Sequence, residues 1–492
     1  MSDEIPEPPP GRFDEEEPDS LPENVIGIKT RKRSRGAPKQ AVELKPGQHA
    51  FDMGDHVEIG ACLNRDLAAV APTTFTEGAF YRYAEQVGCY GEVPHNELSC
   101  IIQGYSGSPV ESSGKRLGVR LTDIKSGIVC AANKSEVRDF FRGAKDGITF
   151  ASTFVAVTKD SIQQEPHALE QRSRFAYGFG YQPTAEPKRF LDFLRSSFDG
   201  DEDAELKIAL LQEHVGLGLI GQGCRYQKAV MMVGSKGANG KSTAQAILAA
   251  AMPPGSVISI APHDMGSDYE RARFPGARLN IVSEVEQREL VHSEPWKAII
   301  DGKNEIKARS PYKDVFFFRP IAAHLYSCNR PPDTADQSGG FWRRWAVVQF
   351  NRSFEPHEQV ADLDKQVIAS ELPAVVSWLL RGAQRALEQG RYTSPPSSEA
   401  AITLWRQSAD QVAEFMAAQC LKLQSTTPNH NWTPAAQLYK AYQNWATLNG
   451  HRFPLTQRRF AERMEYLQCG SKRSGSANLY PVELHYGDNV EP

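Results

Sequence analysis

No two of the eight cysteines (62, 89, 100, 130, 224, 328, 420 and 469) form a C-x-x-C pair, and they are scattered along the 492-residue chain. A structural zinc site and a disulfide framework are both disfavoured by that spacing. A reducing, cytoplasmic setting is expected. No run of about 18 apolar residues occurs, so no transmembrane helix is expected and a membrane is not among the partners. The opening MSDEIPEPPP is acidic and proline-rich and lacks an apolar h-region, so it does not read as a secretory signal. A strong charge of one sign is lacking too. The formal net charge is −4, so any nucleic-acid surface must be local. With 40% hydrophobic residues the chain can build real cores, and its length suggests two to four domains.

Residues 1–49 form an expected disordered tail. Its first 23 residues hold nine acids, one arginine and six prolines, too polar to bury a core. KTRKRSRGAPK (29–39) adds six positive charges and no acid, a solvated tail or an arm for nucleic acid or a partner. Residues 50–185 read as an α+β N-terminal domain for recruitment or DNA binding. There 76–93 (TEGAFYRYAEQVGCYGEV) reads as an amphipathic helix and turn, 116–131 (RLGVRLTDIKSGIVCA) as an alternating strand, 135–144 as a helix and 147–158 (GITFASTFVAVT) as strand. A helical region is expected over 186–228 and an α/β domain with a largely parallel sheet over 229–392. TSPPSS marks a linker at 393–407, and 408–492 reads as three helices and a short strand pair, an order compatible with a winged helix.

The chemistry centres on AVMMVGSKGANGKSTAQAILAA (229–250). An apolar strand stops at a glycine-rich loop and a small-residue helix follows. Backbone N–H groups at such a helix start can wrap phosphate oxygens, and the helix dipole favours anions. In this reading Gly237, Ala238, Asn239, Gly240, Lys241, Ser242 and Thr243 hold the nucleotide. Lys241 reaches the β- and γ-phosphates, and Ser242 holds Mg²⁺. The template of four residues between two glycines is missed by one: counting back from Gly240 it falls on Ser235, and Gly234 is one residue too far.

Three partners follow the loop. LNIVSEVE delivers Glu284 at a strand end, where a carboxylate can organise Mg²⁺ and an attacking water; Glu286 is the alternative. LYSCNRPP ends a strand at Asn329, either a water-orienting amide or a turn former. SGGFWRRWAVVQF carries Arg343 and Arg344 ahead of a strand. Alternation exposes only one of them, taken as Arg344, and leaves the other for a structural ion pair. Residues 302–319 hold five positive and two negative charges with Tyr312, Phe316, Phe317 and Phe318. Positive charge tracks phosphates and aromatics can stack on single-strand bases, but the three phenylalanines read first as a buried strand.

Read together, NGKST, LNIVSE, Lys297 with Gly302, IKARSPYK, FFFRP, CNRPP and GGFWRRWAVVQF resemble the superfamily III helicases, closest to the phage, plasmid and poxvirus primase–helicase type. The likeness covers roughly 190–355 and extends more weakly to GITFASTFVAV upstream and to the C-terminal piece. It implies a P-loop AAA+-type ATPase core and a winged-helix C-terminus. The activity implied is an ATP hydrolase with ATP and Mg²⁺, a ring of six copies unwinding DNA in the replication of a mobile element. By this resemblance Lys241 and Ser242 are the P-loop pair, Glu284 the acidic motif, Asn329 the sensor and Arg344 the finger offered to a neighbouring subunit. Lys307, Arg309, Tyr312 and Lys313 match the hairpin that touches single-stranded DNA inside the ring. Gly302-Lys303 departs from the family's usual Gly-Asp. On QRRFAERM (457–464), Arg458 and Arg459 are candidates for DNA contact or a solvated basic face. Residues 50–185 show no zinc-ligand cluster or Asp-x-Asp triad, so a separate primase is expected. The competing reading is a P-loop ATPase that remodels proteins or serves regulation or defence, which would not need the basic tip at 307–313.

Overall fold

The computed structural model describes residues 44, 48–285, 293–311, 315–332, 334, 336–423, 431–451, 454–475 and 477–485. The chain divides into a unit of residues 1–46 and a second unit spanning 47–492. All of the first except Leu44 lies outside the described residues, as do both charged tail segments.

The second unit begins with helices His56–Val70, His95–Gly104 and Leu121–Ser135 around an apolar cluster of Phe51, Leu63, Leu67 and Ile102. Beside them lies an antiparallel sheet of Thr73–Thr76, Ala79–Ala84 and Cys89–Glu92. Three expectations are corrected here. The stretch 76–93 is a hairpin and not a helix, because Phe80, Tyr81, Tyr83 and Tyr90 bury as strand residues and Gly88 turns the chain at φ +73°. The stretch 116–131 is mostly helix and not strand, since Ile124, Ala131 and their helical neighbours face His56–Val70. The helix expected over 135–144 shrinks to a single short turn at Phe140–Gly143. The strand reading of 147–158 is matched by Gly147–Thr149 and Phe154–Val157, which pair antiparallel. Ile148, Phe150, Val155 and Val157 then join the central core, so the N-terminal block does not stop at 185 as a separate body of packing.

The centre is a five-stranded, all-parallel sheet. Its strands are β1 (Ala229–Val233), β2 (Val257–Ile258), β3 (Leu279–Val282), β4 (Ala323–Cys328) and β5 (Trp345–Gln349), in the order β2-β3-β4-β1-β5. A strand covered on both faces reads as a continuous apolar run, and AVMMV does so. The two-residue period divides it cleanly. Val230 and Met232 face one core with Leu325 and Val348; Ala229 and Met231 face another with Tyr326 and Trp345. The first core is closed by helices Ala204–Leu219 and Leu363–Gln389. The long second helix carries Pro373 inside it. The second core is aromatic: Trp296 stacks on Trp345 at 4.6 Å, and Trp405 meets Trp345 at 5.1 Å.

Trp405 also corrects a boundary. The expected linker 393–407 is mostly helix Pro396–Ser408, packed on β5, with the Val347 N–H donating to Ser398 Oγ at 2.8 Å. Beyond it, helices Gln411–Gln419, Ala435–Leu448 and Gln457–Tyr466 enclose their own core of Phe415, Tyr442, Phe460 and Met464. Short strands accompany them, Thr433–Pro434, Lys472–Ser474 and Ala477–Tyr480 forming one antiparallel sheet. Among the described residues no helix is long and apolar enough to cross a membrane.

Candidate functional site

Because the sheet is parallel, the carboxyl ends of β1, β3 and β4 lie on one edge. Register pairs Val233 with Cys328 and Val282 with Tyr326, so the next residues along each strand converge. The segment 234–240 follows β1, Ser283 and Glu284 follow β3, and Asn329 follows β4. Lys241 and Asn329, 88 residues apart in sequence, are thereby within reach of one another.

The loop is braced from inside. Asn239 is 5% exposed; its Nδ2 donates to Lys236 O at 2.7 Å and to Gly234 O at 3.3 Å. Expected among the nucleotide contacts, its side chain is placed instead as a brace of the loop. Gly234, and not the Ser235 that simple counting selects, is the position where the loop needs no side chain. A Cβ there would collide with the Asn239 amide and lie 3.0 Å from Lys241 Nζ. The extra residue is taken up at Ala238, whose φ of +52° is left-handed, a conformation that costs a non-glycine residue about 1 kcal/mol or more. Two carbonyls of the loop are turned outward: Gly237 O accepts from Ser353 Oγ at 2.9 Å and Ala238 O from Phe354 N–H at 2.8 Å. Among the described residues no backbone N–H of 235–240 donates to a protein acceptor. Helix Lys241–Ala250 then begins at Gly240 with no side-chain cap. The Lys241 N–H has only a long contact to Asn239 Oδ1, at 3.4 Å. The first turn of a helix has no intrahelical acceptor for its amides, so these too are left open to an outside acceptor. Such a nest of N–H groups at a helix start suits a phosphate chain.

Lys241 is buried, and its Nζ donates to Gly234 O at 2.6 Å and to Asn329 Oδ1 at 3.5 Å. Burial pulls its pKa down, while the Glu284 carboxylate pulls it back up. The Cys328 thiol is pushed up to about 12 by burial, which keeps it neutral beside the lysine. Asn329 Nδ2 in turn donates to Glu284 Oε1 at 3.3 Å. Asn329 and Glu284 are exposed, as is Ser242 in the first turn of the helix, with Thr243 half-buried beside it. Ser242 and Glu284 are therefore the groups that could hold Mg²⁺. Glu286 lies outside the described residues.

The arginine pair falls the opposite way from expectation. Arg344 is buried, and its guanidinium forks onto Asp301, with Nη2 at 2.6 Å from both carboxylate oxygens and Nη1 on Gly340 O. Arg343 is exposed and donates to Gln227 Oε1 at 2.9 Å. Only one of the two is exposed, as alternation requires, but a helical turn at Gly339–Trp342 precedes the strand and shifts its phase. No sequence signal marks Asp301 as the partner.

The basic segment forms a hairpin, Ile306–Arg309 antiparallel to Val315–Phe318. Ile306 and Ala308 are buried; Lys307 and Arg309 are exposed, Lys307 lying 3.4 Å from Asp268. Tyr312 and Lys313 lie outside the described residues. The three phenylalanines do not bury together: Phe318 is 1% exposed and Phe317 57%. Strand alternation forbids three consecutive residues on one face, a signal available in FFF itself. Phe317 is directly opposite Lys307, so an exposed ring and an ammonium share the outer face. In the C-terminal helix Arg458 and Arg459 are exposed, Arg458 pairing with Glu462 at 2.9 Å, while Arg463 is tied to Asp410.

Residues 232–344 match a family of unknown function, DUF5906, a span well short of half the chain. No curated protein matches the chain. Among solved structures, the A form apo structure of the NrS-1 C-terminal region is similar at 11% identity. It covers 86% of this chain and 98% of that one, with a TM-score of 0.41. An apo structure of residues 305–718 of the same protein aligns at 11% identity, covering 87% and 100%, with a TM-score of 0.40.

Proposed function

We propose that the chain is an ATP hydrolase that couples turnover to movement on DNA, a ring-forming helicase acting in replication. The observation that carries this reading is the chain of contacts from Lys241 through Asn329 to Glu284 at the mouth of a loop with unused N–H groups. A lysine, an amide and a carboxylate so placed can meet a γ-phosphate, sense its presence and orient a water for in-line attack. Lys241 would exchange Gly234 O for phosphate oxygens, and Asn329 would relay that exchange to Glu284. Mg²⁺ held at Ser242 would neutralise charge on the phosphates.

The strand order supports the same reading, since β4 lies between the loop strand and the strand that delivers the carboxylate, as in AAA+-type cores. The exposed Lys307, Arg309 and Phe317 offer charge and a stacking face to single-stranded DNA. In this reading the ring is a homo-hexamer, a separate primase supplies primers, and the C-terminal helices and strands act as a winged helix on duplex DNA. A finger in trans is better served by Arg343, which is exposed, than by Arg344, which would first have to leave Asp301. The second reading, a protein remodeller, shares the ATPase site and dispenses with DNA.

ATP hydrolysis by the purified chain, with and without single-stranded DNA across a salt series, separates the two. Stimulation that fades as salt rises is expected, because phosphate contacts release counterions. Turnover indifferent to DNA selects the remodeller, and absence of turnover removes both.

A further inference from the structure

The opposite, amino-terminal edge of the parallel sheet encloses a cavity of about 390 Å³. The segments leading into β1, β3 and β4 form one side of it, and residues 139–146 and 172–174 of the N-terminal block form the other. Eight cationic side chains line it against four carboxylates. Three of those carboxylates are already held by arginines: Glu77 by Arg174 at 2.7 Å, Asp301 by Arg344, and Asp139 by Arg319 at 3.4 Å. The fourth, Asp146, accepts from Gln222 Nε2 at 2.5 Å.

Arg278 is the exception among the cations. It is 7% exposed, yet among the described residues its guanidinium makes no hydrogen bond or ion pair, and its Nε is fully buried without a partner. The face of Phe175 lies 6.0 Å from it. Its backbone is held on both sides, N–H to Ser256 O at 2.8 Å and C=O from Ala323 N–H at 2.9 Å, so the side chain is aimed by the sheet itself. Gly221 makes the room: a Cβ there would overlap the Arg278 guanidinium. Buried charges are ordinarily paired, and a bare one is costly. Charged groups around it act in both directions, Arg174 repelling and Asp146 attracting.

We infer that this cavity binds a small phosphorylated anion, with the Arg278 fork as its anchor. The guanidinium plane matches two phosphate oxygens at once, and a surplus of cations suits a multiply charged group better than a carboxylate. The volume is at the low end for ligand pockets and admits a nucleotide-sized molecule or the phosphorylated end of a strand, not a duplex. The inference is independent of the hydrolase reading.

The test uses the full chain carrying Lys241→Ala, so that the glycine loop does not contribute, and compares it with the same chain carrying Arg278→Gln in addition. In phosphate-free buffer Arg278→Gln is expected to raise Tm by roughly 2–4 °C, because a bare buried charge is removed. Added inorganic pyrophosphate is expected to raise the Tm of the chain that keeps Arg278 and to leave the Arg278→Gln chain unchanged. A 5′-phosphorylated thymidine strand that stabilises only the chain with Arg278, with its unphosphorylated twin and pyrophosphate both inert, would identify a strand end as the source. A fall in Tm on Arg278→Gln, or pyrophosphate and phosphorylated strand both leaving the chain with Arg278 unchanged, overturns the proposal.

Discussion

The two edges of one parallel sheet treat buried cations in opposite ways. At the carboxyl edge Lys241 is satisfied by neutral acceptors, Gly234 O and Asn329 Oδ1, that can be given up one at a time. At the amino edge the Arg278 side chain has no acceptor among the described residues, while Arg174 and Arg344 are locked into carboxylates. A cation resting on a carbonyl is ready to exchange partners, one forked onto a carboxylate is structural, and one left bare is a demand for an anion. Burial alone does not tell these apart; the partner does.

The contrast is broken most severely at Lys241. Lys241→Ala should cut phosphate release by about 10²–10³-fold or more while leaving the fold intact, since only exchangeable contacts are lost. Steady-state hydrolysis and a thermal melt read both halves of that statement. Next comes Arg344. Arg344→Ala strands Asp301 and should cost about 3 kcal/mol in urea unfolding, whereas Arg343→Ala should stay within about 0.5 kcal/mol. If Arg343 is the finger, mixing Arg343→Ala with Lys241→Ala subunits should partly restore hydrolysis; no rescue counts against a finger in trans.

Between the edges, His214 and His324 test the sheet interior. Burial lowers His214 to about 4 and His324 to about 3, His324 also feeling His214, against an ordinary value of 6.5. Both are held neutral in the fold and take up protons more readily when unfolded. Their contribution is therefore complete above pH 6.5, declines as pH falls below it, and is gone below the folded values. The urea midpoint should drop over that window, and a His324→Asn chain should show a shallower drop. The smallest effect is expected at the hairpin: Phe317→Ala should weaken single-stranded DNA binding by about 1–3 kcal/mol and leave DNA-free hydrolysis unchanged, read by a fluorescence titration.

Four of the five sheet strands are legible in the chain, because strands buried on both faces appear as apolar runs; β2 has two residues and gives no such run. The hairpin at 76–93 and the helix at 121–135 are not, because short amphipathic stretches satisfy either period until their neighbours are known. The prolines of TSPPSS read as a linker, yet Pro396 is the first residue of a helix, where a missing N–H costs nothing.

The placement of the loop residues was already legible in the chain: a glycine-rich turn between an apolar strand and a helix, a lysine at the helix start, and Glu284 and Asn329 at strand ends. These are local patterns, set by backbone freedom and strand period. Which cation has a partner was settled only by packing. Asp301 lies 43 residues from Arg344, and Arg278 faces a cavity whose other wall is more than a hundred residues upstream. Pairing and desolvation depend on which distant side chains the packed sheet brings together, and no local pattern encodes that.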